Sequence, residues 1–280
     1  MYKILLTVSL FVLAACDARY EPTPVPTPTP VSSPALALVA TQSADPIYYN
    51  GVYPRFSDED PHEWAGIRPG RYPIHGIDIS KYQGDIDWPT VRRSGVSFAY
   101  IKATEGGDHL DEKFKENWAG AARGGVQRGA YHFYYFCSTA AEQAKWFIKN
   151  VPRDSTALPP VLDIEWNLQS KTCPGKPTAS FIRSEMTQFI KIVTAYYGRR
   201  PLIYTTVDFF ADNQIGRIQG ADFWLRSVAD HPSKTYPRQP WTFWQYTGTG
   251  NVRGIEGKVD INAFAGTPSE WNSWVSYLRQ

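Results

Sequence analysis

Two acids separated by one residue, Asp163 and Glu165, lie near the end of the run Leu-Pro-Pro-Val-Leu-Asp-Ile-Glu-Trp at 158–166. In a β-strand, side chains two apart share a face, so both carboxylates would enter one space with backbones about 6–7 Å apart. Two carboxylates this close cannot both ionise freely, and one tends to keep its proton at neutral pH. A held proton beside a negative charge is what general acid–base chemistry needs. The alternative is a surface strand end with solvated acids.

What positions these acids is a regular alternation of strand and helix. Strands are expected at 74–79, 98–103, 129–135, 160–164, 201–204, 223–225, 242–245 and 257–261. Asp87 caps a short helix with Pro89 in its first turn. A second helix, 112–123, is closed by Gly124 and Gly125. Thr139 and Glu142 form a capping box for a helix reaching Asn150, and longer patterns at 181–197 and 268–278 supply two more. Eight strands interleaved with helices predict an α/β fold, an irregular, flattened (β/α) TIM-like barrel whose later helices are short or absent. An open doubly wound sheet is the rival, but no Gly-rich phosphate loop follows the first strand.

Chemistry in such barrels gathers where strands end. Asp78, Glu105, Asp163, Glu165 and Asp260 fall at or just after the ends of strands one, two, four and eight. Converging there, they would line one acidic cleft. Aromatic residues make up 15% of the 280-residue chain, including ten Trp. Tyr82, Tyr131, Phe133, Tyr204, Trp224, Trp244 and Tyr246 sit at or near the same strand ends. Each alone reads as core; grouped around an acidic cleft they favour carbohydrate, because pyranose faces pack on flat rings. Net charge is +2 with no basic run, so nothing points to nucleic acid.

The N-terminal part reads as an address and a tether. Residues 1–16 have Lys3, an apolar run at 4–12 and then Leu-Ala-Ala-Cys, ending at Cys16. The run is too short to span a bilayer comfortably and fits the middle of a secretory signal. The last four residues resemble a bacterial lipobox, which implies lipidation at Cys16; an ordinary signal peptide is the alternative. Asp17 resembles the signal that retains such proteins in the inner membrane of enteric bacteria. The Pro/Thr-rich stretch 21–34 would be extended, spanning roughly 40 Å. The expected organisation is a signal at 1–16, a linker and extension at 17–71, and a catalytic domain at 72–280.

Five segments occur in order: His75-Gly76-Ile77-Asp78-Ile79-Ser80, Ile101-Lys102-Ala103-Thr104-Glu105-Gly106, Gly129-Ala130-Tyr131-His132-Phe133, Leu162-Asp163-Ile164-Glu165 and Val259-Asp260-Ile261-Asn262. Together they resemble the Chalaropsis-type lysozymes, glycoside hydrolase family 25, over about 72–275. The resemblance implies an irregular (β/α) barrel that cuts the β-1,4 bond between N-acetylmuramic acid and N-acetylglucosamine in peptidoglycan, without a cofactor. It implies Glu165 as general acid, Asp163 as the partner that steadies the reacting acetamide, Asp78 and Asp260 as the other site acids, and Tyr131 and Tyr204 as cleft tyrosines. The short Asp163–Glu165 spacing suggests that the substrate's own acetamide assists. One departure is that Leu225-Arg226-Ser227 follows Trp224, where the family usually continues with a small residue.

Cys137 and Cys173 follow neighbouring strands on one side of the sheet, so a disulfide is expected in an exported protein, with two free thiols as the alternative. The five His are scattered without ligand spacing, so no metal site is expected. No Gly-x-Ser-x-Gly elbow occurs. The expected function is therefore a membrane-tethered muramidase. The alternatives are a non-catalytic peptidoglycan-binding lipoprotein and a hydrolase of another N-acetylated glycan.

Overall fold

A computed structural model describes residues 51–279. Cys16 and the 21–34 stretch lie outside the described residues. Eight strands form the barrel wall: β1 (His75–Ile79), β2 (Val96–Glu105), β3 (Gln127–Phe133), β4 (Val161–Asp163), β5 (Leu202–Thr205), β6 (Phe223–Arg226), β7 (Phe243–Asn251) and β8 (Val259–Phe264). The helices are α1 (Trp88–Arg93), α2 (Phe114–Arg123), α3 (Ala140–Asn150), α4 (Ala179–Tyr197), α5 (Val207–Asn213), α6 (Pro232–Thr235) and α7 (Pro268–Tyr277). Sequence patterns locate the strands and the longer helices to within a few residues, except that β7 runs on to Asn251, six residues past its expected end.

Strands β1 to β7 run parallel in chain order. β8 closes the ring and is antiparallel to both β7 and β1. The wall is therefore not wholly parallel as the strand–helix alternation suggests. A parallel return needs a crossover of a dozen or more residues, whereas only 252–258 separate β7 from β8, so the chain must double back. This reversal puts the start of β8 at the mouth, level with the ends of the other strands, and Asp260 lies directly across from Asp78.

The barrel interior is filled, not hollow. Phe98, Tyr100, Tyr204, Trp224, Phe243 and Phe264 meet inside it, and Trp271 of α7 packs on Phe98 with ring centroids 5.4 Å apart. Two motif glycines make room for this plug. A Cβ at Gly76 would stand 2.3 Å from the Phe98 ring, and one at Gly129 would stand 2.2 Å from the Tyr100 ring. Outside the wall, alternate strand residues such as Ile77, Ile101, Leu162, Ile203 and Leu225 join a second apolar layer beneath the helices.

The segment before the barrel also packs on it. Ser57–Asp58 pairs antiparallel with Asn251 and Gly250 of β7, and the Arg55 N–H donates to the Ser94 carbonyl. On the far side of the ring, Cys137 and Cys173 are joined in a disulfide 36 residues apart, tying the loop after β3 to the loop after β4.

Two stability measurements follow from this packing. Gly129→Ala should lower the unfolding free energy by about 1–3 kcal/mol in urea titration, because the methyl group must displace a ring in a filled core. Reducing the disulfide should lower it by about 3–4 kcal/mol, the loop-closure entropy for this separation.

Candidate active site

Alternation along the strands decides what faces the mouth. In β4 and the residues after it, Leu162 and Ile164 turn outward into the layer under the helices, while Val161, Asp163 and Glu165 turn inward. The extended geometry persists beyond the strand because the Ile164 N–H donates to the Tyr204 carbonyl at 3.0 Å. The same parity places Asp78 between outward Ile77 and Ile79, and Asp260 between outward Val259 and Ile261. The result is a cleft of about 740 Å³ that contains all four acids together with Tyr131, Tyr204 and Trp224.

Three residues expected at or near the cleft stand elsewhere; one, Tyr246, is hydrogen-bonded to His75 at 2.9 Å and does not line the cleft. Trp244 neighbours inward-facing Phe243 and Gln245, so it points outward, fully buried, with its indole N–H donated to the Ser227 carbonyl at 2.7 Å. Glu105 is salt-bridged to Lys102 and does not line the cleft; Lys102 does. Burial opposes the Glu105 charge, but the Lys102 ammonium outweighs it and holds the carboxyl below its ordinary value. Tyr82 is a rim residue, 80% exposed. His132 lies outside the wall, bonded to Thr104 and Gln143, where burial drops its pKa to about 4.

Gln245, Asn262 and Arg226 are among the site residues that type and spacing did not single out as ligands, with Lys102 and Asp208 of the cleft lining. Asp78 Oδ1 accepts hydrogen bonds from Gln245 Nε2 at 3.0 Å and Asn262 Nδ2 at 2.7 Å. Each amide is oriented in turn: the Tyr204 hydroxyl donates to Gln245 at 2.9 Å, and the Trp224 indole donates to Asn262 at 2.7 Å. Aromatic cleft residues thus fix the amides that fix Asp78. Asp163 is treated differently: its Oδ1 is buried with no hydrogen-bond partner among the described residues.

Burial is the leading influence on all four acids. It pushes Asp78 up to about 6, against the two amide bonds that favour its charge. Glu165 rises to about 7, with Arg226 the main opposing charge, and Asp260 rises to about 8, helped by the Asp78 charge. Asp163 rises well above the carboxylate range from burial and the neighbouring Glu165 charge. Near neutral pH the mouth therefore retains protons that solvated carboxylates would lose, and it can both donate a proton and stabilise positive charge.

Residues 77–255 match the model for Glycosyl hydrolases family 25. Lysozyme M1 of Streptomyces globisporus is 38% identical over 206 residues, 69% of this chain and 68% of its own length. The uncharacterized protein YegX of Escherichia coli strain K12 is 34% identical over 252 residues, 86% of this chain and 85% of its own. The solved structure of a family 25 glycosyl hydrolase from Bacillus anthracis superposes with a TM-score of 0.70 at 35% identity, covering 78% of this chain and 99% of that one.

The raised acids also set a stability test. Asp260 ionises near its ordinary value of 3.8 when unfolded but near 8 when folded, so folding retains its proton between those values. Its contribution is therefore present below pH 4 and is lost as pH rises through about 8. Asp260→Asn should stabilise the protein at pH 8 by a few kcal/mol, at most about 5, and give no gain at pH 4, read from melting curves at the two pH values.

Proposed function

The chain belongs to glycosyl hydrolases family 25, and we propose that it is a muramidase that cleaves the β-1,4 bond after N-acetylmuramic acid in peptidoglycan, with Glu165 as general acid. That it is a glycoside hydrolase of lysozyme type follows from its family and from its likeness to Lysozyme M1. The observation that carries the finer reading is the inward i, i+2 pair. Glu165 has a pKa near 7, and Asp163 presents a buried, unpartnered oxygen beside it.

In this reading Glu165 gives its proton to the glycosidic oxygen as the C1–O bond breaks. The acetamide carbonyl oxygen of the same muramic acid forms a bond to C1 in its place. The unpartnered Asp163 Oδ1 accepts the acetamide N–H, which aims the carbonyl oxygen at C1 and steadies the resulting oxazolinium ring, a role this oxygen can fill while the carboxyl keeps its proton. Water then attacks C1 and reopens the ring, passing a proton to the Glu165 carboxylate, which restores the acid. Two displacements at C1 retain its configuration. A direct carboxylate nucleophile fits less well, because such a group stands across the sugar from the acid, about 5–5.5 Å away in a retaining site. Here the two carboxyls share one strand face. Asp78 and Asp260 line the same mouth and add negative charge near the reacting carbon once ionised.

The address region extends the proposal to location. The Leu-Ala-Ala-Cys run ending at Cys16 supports export and lipid anchoring, at the periplasmic face of the inner membrane if the cell is Gram-negative. The 21–34 stretch would give a reach of roughly 40 Å toward a nearby wall.

Digestion of purified peptidoglycan, followed by mass spectrometry, tests the enzyme reading. Wild type should release fragments with reducing-end N-acetylmuramic acid, and Glu165→Gln should lower kcat by about 10²–10⁴-fold. Sacculi that bind the protein yet stay uncut would leave only a binding role. For wild type, kcat should fall as pH rises through about 7, as Glu165 loses its proton. Product anomers resolved by proton NMR in the first minutes should be β; inversion would rule out acetamide assistance.

A further inference from the structure

Beside the catalytic mouth lies a second groove of about 710 Å³. One side is the end of the barrel wall, at Tyr246, Thr247 and Thr249 of β7. The other is the segment 53–70, which precedes the family match beginning at Ile77. This segment is built into the fold. Its Ser57–Asp58 strand pairs with β7, the Glu59 N–H donates to the Thr249 carbonyl, and Glu59 is salt-bridged to Lys258 at 2.8 Å. Trp64 packs edge-on against Trp244 at 5.1 Å.

Arg226 lines both the groove and the cleft, so the two meet at its side chain. It lies in the Leu225-Arg226-Ser227 run, which departs from the family pattern after Trp224, and its guanidinium has no salt bridge or side-chain hydrogen bond among the described residues. Beyond it the groove carries both signs of charge. Arg68 adds a second cation, and Asp58 and Asp60 supply anions. Burial opposes the Asp58 charge, yet hydrogen bonds from Thr247, Thr249 and the Asp60 and Glu59 backbone hold its carboxyl below the ordinary value.

A groove carrying two cations and two anions is poorly matched to the bare glycan strand, which has no cation and at most one lactyl carboxylate per muramic acid. It is well matched to a short peptide carrying several carboxylates and a free amine. Such a peptide hangs from the lactyl ether of muramic acid, beside the bond that the cleft would cut. We propose that this groove holds the stem peptide of the muramic acid residue bound in the cleft. Arg226 and Arg68 take its carboxylates, and Asp58 and Asp60 take the side-chain amine of its diamino acid. The proposal rests on the muramidase reading and names a further part of its substrate.

The test compares two substrates made from one preparation: peptidoglycan bearing a diaminopimelate-type stem peptide, and the same glycan after an N-acetylmuramoyl-L-alanine amidase has removed the peptides. The variant is the full chain with Asp60→Asn and Arg68→Gln, both exposed residues outside the catalytic mouth. On peptide-bearing material its KM should rise about three- to fivefold with kcat unchanged, the effect of losing partly solvated charge contacts. On the stripped glycan neither constant should move. Equal losses on both substrates, or no loss on either, would overturn the proposal.

A second measurement keeps it separate from the enzyme reading. The free tetrapeptide L-Ala-γ-D-Glu-meso-diaminopimelyl-D-Ala is titrated into the Glu165→Gln protein and followed by calorimetry. Saturable binding that Arg226→Gln weakens about fivefold supports the groove assignment, even if wild type were to cut neither glycan. Absence of saturable binding would sink the assignment while leaving the muramidase reading to its own assay.

Discussion

Four largely buried carboxylates share one barrel mouth with the exposed Asp208, and taking those four out of water disfavours each of their charges. A flexible site would relieve this by letting the acids turn outward to solvent. The barrel prevents it in two ways. Below the acids, the interior is filled by rings, with Tyr100 against Trp224 at 5.0 Å and Tyr204 against Trp224 at 4.8 Å. At their own level, Trp224 and Tyr204 use their polar tips to lock Asn262 and Gln245, which then clamp Asp78. One aromatic layer therefore serves as both core and orienting shell. Asp78 is anchored as an acceptor, and the unbonded Asp163 oxygen is left for a donor from outside.

Much of this was legible because strand parity is a hard rule. Once 160–164 reads as a strand, Asp163 and Glu165 must share a face, and outward Leu162 and Ile164 say which face it is. Parity was not legible where both faces are apolar. The sequence Phe243-Trp244-Gln245-Tyr246 offers aromatics in both phases, so hydrophobicity cannot tell that Phe243 and Gln245 face in and Trp244 out. Glu105 fails for a related reason. β2 runs to Glu105, past the expected end at 103, and its pairing with β3 shifts between Lys102 and Thr104. Lys102 faces the cleft by plain alternation with inward Phe98 and Tyr100, and the shift after it pairs Glu105 with Phe133 and leaves it as the Lys102 salt-bridge partner.

Other features were hidden because their signal is not one of residue type. Carboxamides do not titrate and recur everywhere in sequences, so Gln245 and Asn262 become visible only when the register sets them around Asp78. The reversed β8 had a signal that alternation alone overrides: the 252–258 connection is too short for a crossover. The reversal matters chemically. A parallel β8 would carry Asp260, near its start, to the opposite end of the ring from Asp78. The antiparallel turn brings the two acids into register and makes the Asp78 charge one reason that Asp260 keeps its proton.

Arg226 connects the acids to the rest of the substrate. Its charge opposes the burial that raises Glu165, Asp78 and Asp260, so it works against the protonated form on which a general acid depends. In the open cleft this keeps the mouth from becoming wholly neutral. A ligand carboxylate brought to the guanidinium from the neighbouring groove would offset that field, and the proton affinity of Glu165 would rise with it. Linkage requires the converse as well: a protonated Glu165 leaves Arg226 with one fewer competing anion and strengthens its hold on the ligand. The same cation can thus recognise the peptide side of the substrate and couple that recognition to the proton held for the sugar side, with no movement of the barrel wall.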